Sequence, residues 1–204
     1  MTRTMLKEAA KENMAYGFKD ALISIIIAWL GGAAISFVFA FLKVEILSAP
    51  VIAIFVTGPF LVGIAGVYLN IAKHGDGTWI AVFDGFKIFW RSFVLYILKY
   101  IFITLWSLLF VIPGIIAAFR YSMAEYILYE NPDMSAMDAI RESKRLMDGK
   151  KADLFVLYLS FFGWYLLSAI TCGIAYIWVA PYVTATVTNF YLDIKNEKNL
   201  DAAL

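Results

Sequence analysis

The chain has 204 residues, 62% of them hydrophobic and 16% charged, with a mean hydropathy of +0.77. Soluble domains hold roughly 45–50% apolar and about 25% charged residues, so this composition excludes an ordinary soluble core and predicts an all-α, polytopic membrane protein. A net charge of +1 gives no global basic field for nucleic acid, and a single cysteine and a single histidine, Cys172 and His74, exclude internal disulfides and Cys- or His-rich metal clusters.

In chain order, residues 4–16 read as a short amphipathic helix, with Leu6, Ala10 and Met14 at intervals of four and Gly17 as its expected end. The N-terminus mixes charged and apolar residues without a short apolar core or small-residue cleavage site. No cleavable signal is therefore expected. The first span is uncharged over 21–42, and small residues at its middle, Gly31 to Ala34, suit close approach by another helix. Lys43 to Glu45 and Pro50 form a turn into a second span over 51–71, interrupted by Gly58-Pro59. A polar turn at 73–77 leads to residues 78–84, too short to cross a bilayer and too apolar to be free in water, hence interfacial, with Gly85 ending them. The third span begins near Ile88 and the fourth ends near Tyr129, with the hairpin tip in 105–114.

After Asn131-Pro132, Ser135 and Asp138 form a capping box for an amphipathic helix over 135–148, closed by Gly149. Ala136, Ile140, Ser143 and Met147 make its narrow, mostly apolar face, and Arg141, Lys144 and Arg145 lie on the rest. Spans five and six, 154–171 and 173–192, meet at a tight turn, and the polar tail 193–204 is expected to fray.

Lysine and arginine placement orients the spans. The N-terminus, the loop around Lys73, Lys87 and Arg91, the 135–151 segment and the tail carry these residues, whereas Lys43 stands alone on the other side. Both termini are therefore expected in the cytoplasm of a bacterial cell, with six spans as three hairpins, each led by a short interfacial amphipathic helix. Gly17, Gly85 and Gly149, then Pro59, Pro113 and Pro181, recur at similar places and suggest repeats over 4–71, 78–129 and 135–192 within one membrane domain. Glycine and proline also mark helix ends and kinks in any membrane protein, which is the plainer reading of the same pattern.

Lys99, Arg120 and Glu125 are ionisable residues inside expected spans. Each costs on the order of 2.5–3.5 kcal/mol at mid-bilayer, so they must pair or face the bundle. They are either the lining of an ion or anion path, or a structural Lys99–Glu125 bridge with Arg120 in need of a partner. Asn70, Asn189, Ser122, Ser160 and the threonines at 184, 186 and 188 are expected to hydrogen-bond between helices. Arg141, Lys144, Arg145, Lys150 and Lys151 form a basic surface suited to anionic lipid headgroups or a cytoplasmic protein partner, or serve only as a topological anchor. No phosphate loop, Ser/His/Asp set or carboxylate pair stands out, so neither an enzyme nor a cofactor is expected.

Pro113-Gly114-Ile115-Ile116, Tyr121-Ser122-Met123-Ala124, Asn131-Pro132-Asp133, Ala139 to Lys144, Gly163-Trp164 and Pro181-Tyr182 resemble a bacterial membrane family known as domain of unknown function 975. The likeness is strong over 110–192 and looser over 5–95. It implies a bacterial multi-pass protein and no activity. The expected function is non-enzymatic binding through basic cytoplasmic helices. A small transporter or channel beside Arg120 and Glu125, or immunity to membrane-active peptides, are the alternatives.

Overall fold

A computed structural model of the chain describes residues 2–41, 48–75 and 77–203. Every regular element among them is helical: α1 Arg3–Phe41, α2 Ser48–His74, a 3-10 helix Trp79–Phe83, α3 Asp84–Lys87, α4 Phe89–Leu109, α5 Val111–Arg120, α6 Ala124–Glu130, α7 Ala136–Leu146, α8 Lys151–Leu159, α9 Phe162–Ile170 and α10 Tyr176–Ala203. Five described segments are long and apolar enough to cross a membrane: Arg3–Gly31, Ile54–His74, Phe89–Leu109, Val111–Glu130 and Lys151–Ile170. The expected sixth span falls in α10, where Thr184, Thr186, Thr188 and Asn189 make the helix more polar than those five.

The first amphipathic segment is not a separate helix. Residues 4–16 run through Gly17 into the expected first span, giving one helix of 39 residues. At 1.5 Å per residue it is about 58 Å long, nearly twice the roughly 30 Å of a bilayer's hydrocarbon. Gly17 is there for contact: a Cβ at this position would stand 2.6 Å from the Ile71 side chain of α2. The stripe of Leu6, Ala10 and Met14 is buried inside the protein and not laid on a lipid surface. The turn expected at Lys43 to Glu45 lies outside the described residues, and Pro50 falls in the first turn of α2, where a missing N–H costs nothing.

The second interfacial segment likewise continues beyond its expected end. Its 3-10 helix passes directly into α3 through Gly85. Gly63 of α2 faces the Val82 carbonyl and Gly85 faces the Pro59 carbonyl so closely that a Cβ on either would collide with backbone. Paired backbones this near are the usual device for helix association where lipid removes the hydrophobic driving force.

The α4–α5 turn falls at Phe110, inside the expected tip. Backbone bonds Phe110 N–H to Trp106 O and Gly114 N–H to Phe110 O, both 3.3 Å, satisfy the turn while its side chains stay apolar and exposed. Pro113 sits in the first turn of α5 and breaks no intrahelical bond. Tyr121 to Met123 interrupt the helix before α6. Gly149 and Gly173, at φ +77° and +88°, make the left-handed turns that end the α7 segment and the α9 segment. The tail does not fray at Asp193: α10 runs on to Ala203 and Ile194 is fully buried.

α10 contributes to both buried clusters, one around Leu128, Met147 and Leu154, the other around Phe60, Tyr68 and Ile71. Its threonines first satisfy their own helix: Thr184, Thr186 and Thr188 donate to the carbonyls four residues back at 2.9, 2.8 and 2.9 Å. Ser122 and Ser160 do the same to carbonyls three back. The expectation of interhelical bonds is therefore corrected for Ser122, Ser160 and Thr186, since a hydroxyl one turn above a helical carbonyl needs no second helix, whereas Thr184 also bonds the Tyr68 hydroxyl of α2. The Thr188 hydroxyl additionally lies 3.2 Å from that of Tyr126. The asparagines do bridge helices, Asn70 to the Tyr129 hydroxyl and Asn13 to Asn189, both at 3.2 Å.

Gly63→Ala should cost about 1–3 kcal/mol through forced separation of α2 from the 3-10 helix. Thermal unfolding in detergent should show the loss as a lower midpoint. Gly163, which has open space around its Cβ position, is the control, and Gly163→Ala should leave the midpoint unchanged.

Candidate functional site

Charge inside this protein is concentrated at one end of the bundle, and its distribution begins with Glu130. This residue closes the apolar run of α5 and α6, and its side chain is only 9% exposed. Three groups converge on the carboxylate. Lys195 of α10 lies 2.6 Å away, and Lys73 of α2 and the Tyr191 hydroxyl also bond it. Tyr191 stacks on Tyr126, with ring centroids 5.1 Å apart. Glu130 was not among the expected site residues. The signal lay in an acid placed directly after one apolar run while lysines 73 and 195 follow two others.

Lys99 and Glu125 form the ion pair that their antiparallel helices allow, at 2.5 Å with side chains 16% and 13% exposed. Arg120 is not part of it. Its backbone is held elsewhere: the fully buried Ser143 hydroxyl donates to the Arg120 carbonyl at 2.9 Å and accepts the Met123 N–H at 3.2 Å. One serine of α7 thus closes both orphan backbone groups at the α5–α6 break, the kind of repair an interrupted membrane helix needs. As a result, the Arg120 side chain lines a cavity of about 450 Å³ with Arg141, Lys144, Arg145, Asp148 and Lys198.

The helix supplying most of that cavity is capped as its sequence suggests, with the Asp138 N–H donating to Ser135 Oγ at 3.1 Å. Ala136, Ile140, Ser143 and Met147 are buried together with Ala139 and Leu146, and they pack on α4, α6 and α10. The apolar face of α7 therefore covers protein, and its basic face is left outward. Arg141 pairs with Asp138 at 3.0 Å, and Arg145 grips both oxygens of Glu142 at 2.9 and 2.6 Å. That grip holds the Glu142 carboxyl below the usual carboxylate range, so it stays ionised at neutral pH. Lys150 and Lys151 do not line the cavity: Lys150 pairs with Glu197 at 2.6 Å, and Lys151 pairs with the lining residue Asp148 at 3.3 Å. The bond to Glu197 raises the Lys150 ammonium above its ordinary value. Lys198 enters from α10 and donates to the Arg145 carbonyl at 2.8 Å.

Residues 108–198 match the family described as Protein of unknown function (DUF975). This is the family expected from the sequence, and the match spans just under half of the chain. The matched segment runs from the end of α4 into the C-terminal part of α10. It contains every lining residue of the basic cavity, together with Glu125, Glu130, Tyr191 and Lys195, whereas Lys73 and Lys99 lie before it. The family description names no activity. No curated protein and no solved structure matches the chain.

Breaking a fully buried ion pair costs about 3–5 kcal/mol. Lys73 and Lys195 are 37% exposed, and solvent screening reduces the expectation for Glu130→Gln to roughly 1–3 kcal/mol. A double-mutant cycle of Glu130→Gln with Lys195→Met, read by thermal unfolding, should give a positive coupling energy. Additive effects would mean that the carboxylate does not tie α6 to α10.

Proposed function

We propose that this chain is a multi-pass protein of a bacterial cytoplasmic membrane, with six spans and both termini cytoplasmic, and that it works by binding at its basic face. The favoured ligand is anionic lipid. The observation that carries this reading is the split of α7 into a buried apolar face and an outward face bearing Arg141, Lys144 and Arg145. Five residues link α7 to α6 and four link it to α8, so its basic row cannot leave the ends of two apolar helices. Anionic headgroups are the charged surface found at that place, and each basic residue near such a leaflet contributes about 1 kcal/mol.

The six-span reading draws support from ion pairs that join helix ends, Glu130 with Lys73 and Lys195, and separately Arg91 with Asp133. Glu125 is engaged by Lys99, and Arg120 opens toward α7 instead of toward Glu125. Both placements favour a binding role over a transport path beside α5 and α6.

Replacing Arg141, Lys144 and Arg145 together by alanine should lower enrichment of phosphatidylglycerol around the reconstituted protein about tenfold. The figure is held below three full charges because Asp138 and Glu142 already offset two of them. Fluorescence transfer from the protein's tryptophans to labelled lipid in mixed vesicles measures it. Enrichment unchanged in the triple variant would refute the lipid-binding role. A cytoplasmic protein retained by the wild type and lost from the variant, with lipid enrichment unchanged, would move the role to a protein partner.

A further inference from the structure

Arg120 has no carboxylate partner among the described residues, and its Nε is buried without a hydrogen bond. A guanidinium is always charged, and leaving one of its donors buried and unsatisfied is costly. The cavity around it deepens the imbalance. Asp138 takes Arg141, Glu142 takes Arg145 and Asp148 takes Lys151. That leaves Arg120 and Lys144 with no carboxylate among the described residues, and Lys198 with a backbone carbonyl. Three cations from three elements, α5, α7 and α10, therefore border one space; Glu142 and Glu197 offset Lys198 in part, and Arg120 and Lys144 keep their charge without a carboxylate among the described residues.

Resting on the lipid-binding reading, we propose that this space is a discrete site for one phosphate-bearing group, with Arg120 as the residue that defines it. The fork of a guanidinium matches two oxygens of a tetrahedral phosphate, and Lys144 and Lys198 supply mobile ammonium donors at its rim. About 450 Å³ is more than a bare phosphate fills, and it lies within the size range of small-ligand pockets. The wall beyond Arg120 favours a lipid as the source. Ile116 lies one helical turn back on the same face of α5 and Ile112 two turns back, and they are 44% and 71% exposed. A headgroup seated at Arg120 would have its acyl chain running along these side chains, whereas a free phosphate ester makes no use of them.

Native mass spectrometry of the full-length protein in neutral detergent, titrated with short-chain phosphatidylglycerol, tests the site. One saturable lipid is expected, with phosphatidylcholine failing to compete. Arg120→Gln should weaken it at least tenfold. Arg120→Lys, which keeps the charge and loses the fork, should fall between. It carries the test if the glutamine variant does not elute as a folded species. Glycerol 3-phosphate, followed by thermal shift, separates the sources. Stabilisation by the lipid alone assigns a headgroup, and equal stabilisation by both assigns the phosphate without the chains. Saturable binding that is identical in wild type, Arg120→Gln and Arg120→Lys would overturn the site. If the triple α7 variant still lost lipid enrichment in that case, the broader basic-face reading would stand without the Arg120 site.

Discussion

A carboxylate taken out of water must be compensated or it neutralises, and the compensation of Glu130 determines how the ends of this bundle meet. Lys73, Lys195 and Tyr191 come from two helices far apart in sequence, yet each must reach the same two oxygens. Satisfying that one group fixes α2, α6 and α10 in axial register. Apolar packing alone does this poorly in lipid, because lipid tails solvate leucine as well as another helix does. Around the node the same logic continues with neutral groups: Tyr191 stacks on Tyr126, Tyr126 meets Thr188, and Tyr129 lies between Asn70 and Asp84. Polar contacts therefore specify the arrangement, and apolar contacts fill it.

Register along the helices would be of little use if the helices could not come close. Here the glycines of α2 act together with the Glu130 node. Gly63 admits the Val82 carbonyl, and Gly66 admits the Tyr129 ring, which brings the Tyr129 hydroxyl to Asn70. The missing side chain of Gly66 is thus a condition for the hydrogen bond one turn away. Gly58, Gly63 and Gly66 thus place α2 against the backbone of α4, the 3-10 helix and the Tyr129 ring.

Local chemistry made part of this legible in the sequence. Ser135 as a cap, Gly149 as a left-handed stop and a hairpin tip near Phe110 depend only on residues within a few positions of one another, and each was readable. The pairing of Lys99 with Glu125 followed from two adjacent antiparallel helices. Gly17 and Gly85 misled because a glycine that ends a helix and one that admits a neighbour look alike until the neighbour is known; Ile71 and Pro59 lie 54 and 26 residues away. Glu130 is not legible as a site from its neighbours, since its partners are defined by packing between distant segments. Thr186 differs from its interhelical expectation for the opposite reason, its acceptor being one turn away in its own helix.

Arg120 is where these two kinds of information meet. Its sequence neighbours, Phe119 and Tyr121, mark it as a charge inside an apolar segment, and Glu125 five residues on looks like an available partner. Glu125 is instead bonded to Lys99, and Ser143 fastens the Arg120 backbone to the underside of α7. Arg141, Arg145 and Lys151 each have a carboxylate, whereas Arg120 and Lys144 have none among the described residues, and the cavity they line keeps an excess of cations. Stability alone would favour a residue without a buried donor here, as an unsatisfied buried N–H costs about 1–3 kcal/mol. Positions where local rules are broken without a compensating contact are expected at functional sites. By that criterion the α5–α6 break is the place in this fold where the proposed anion site sits at a cost in stability.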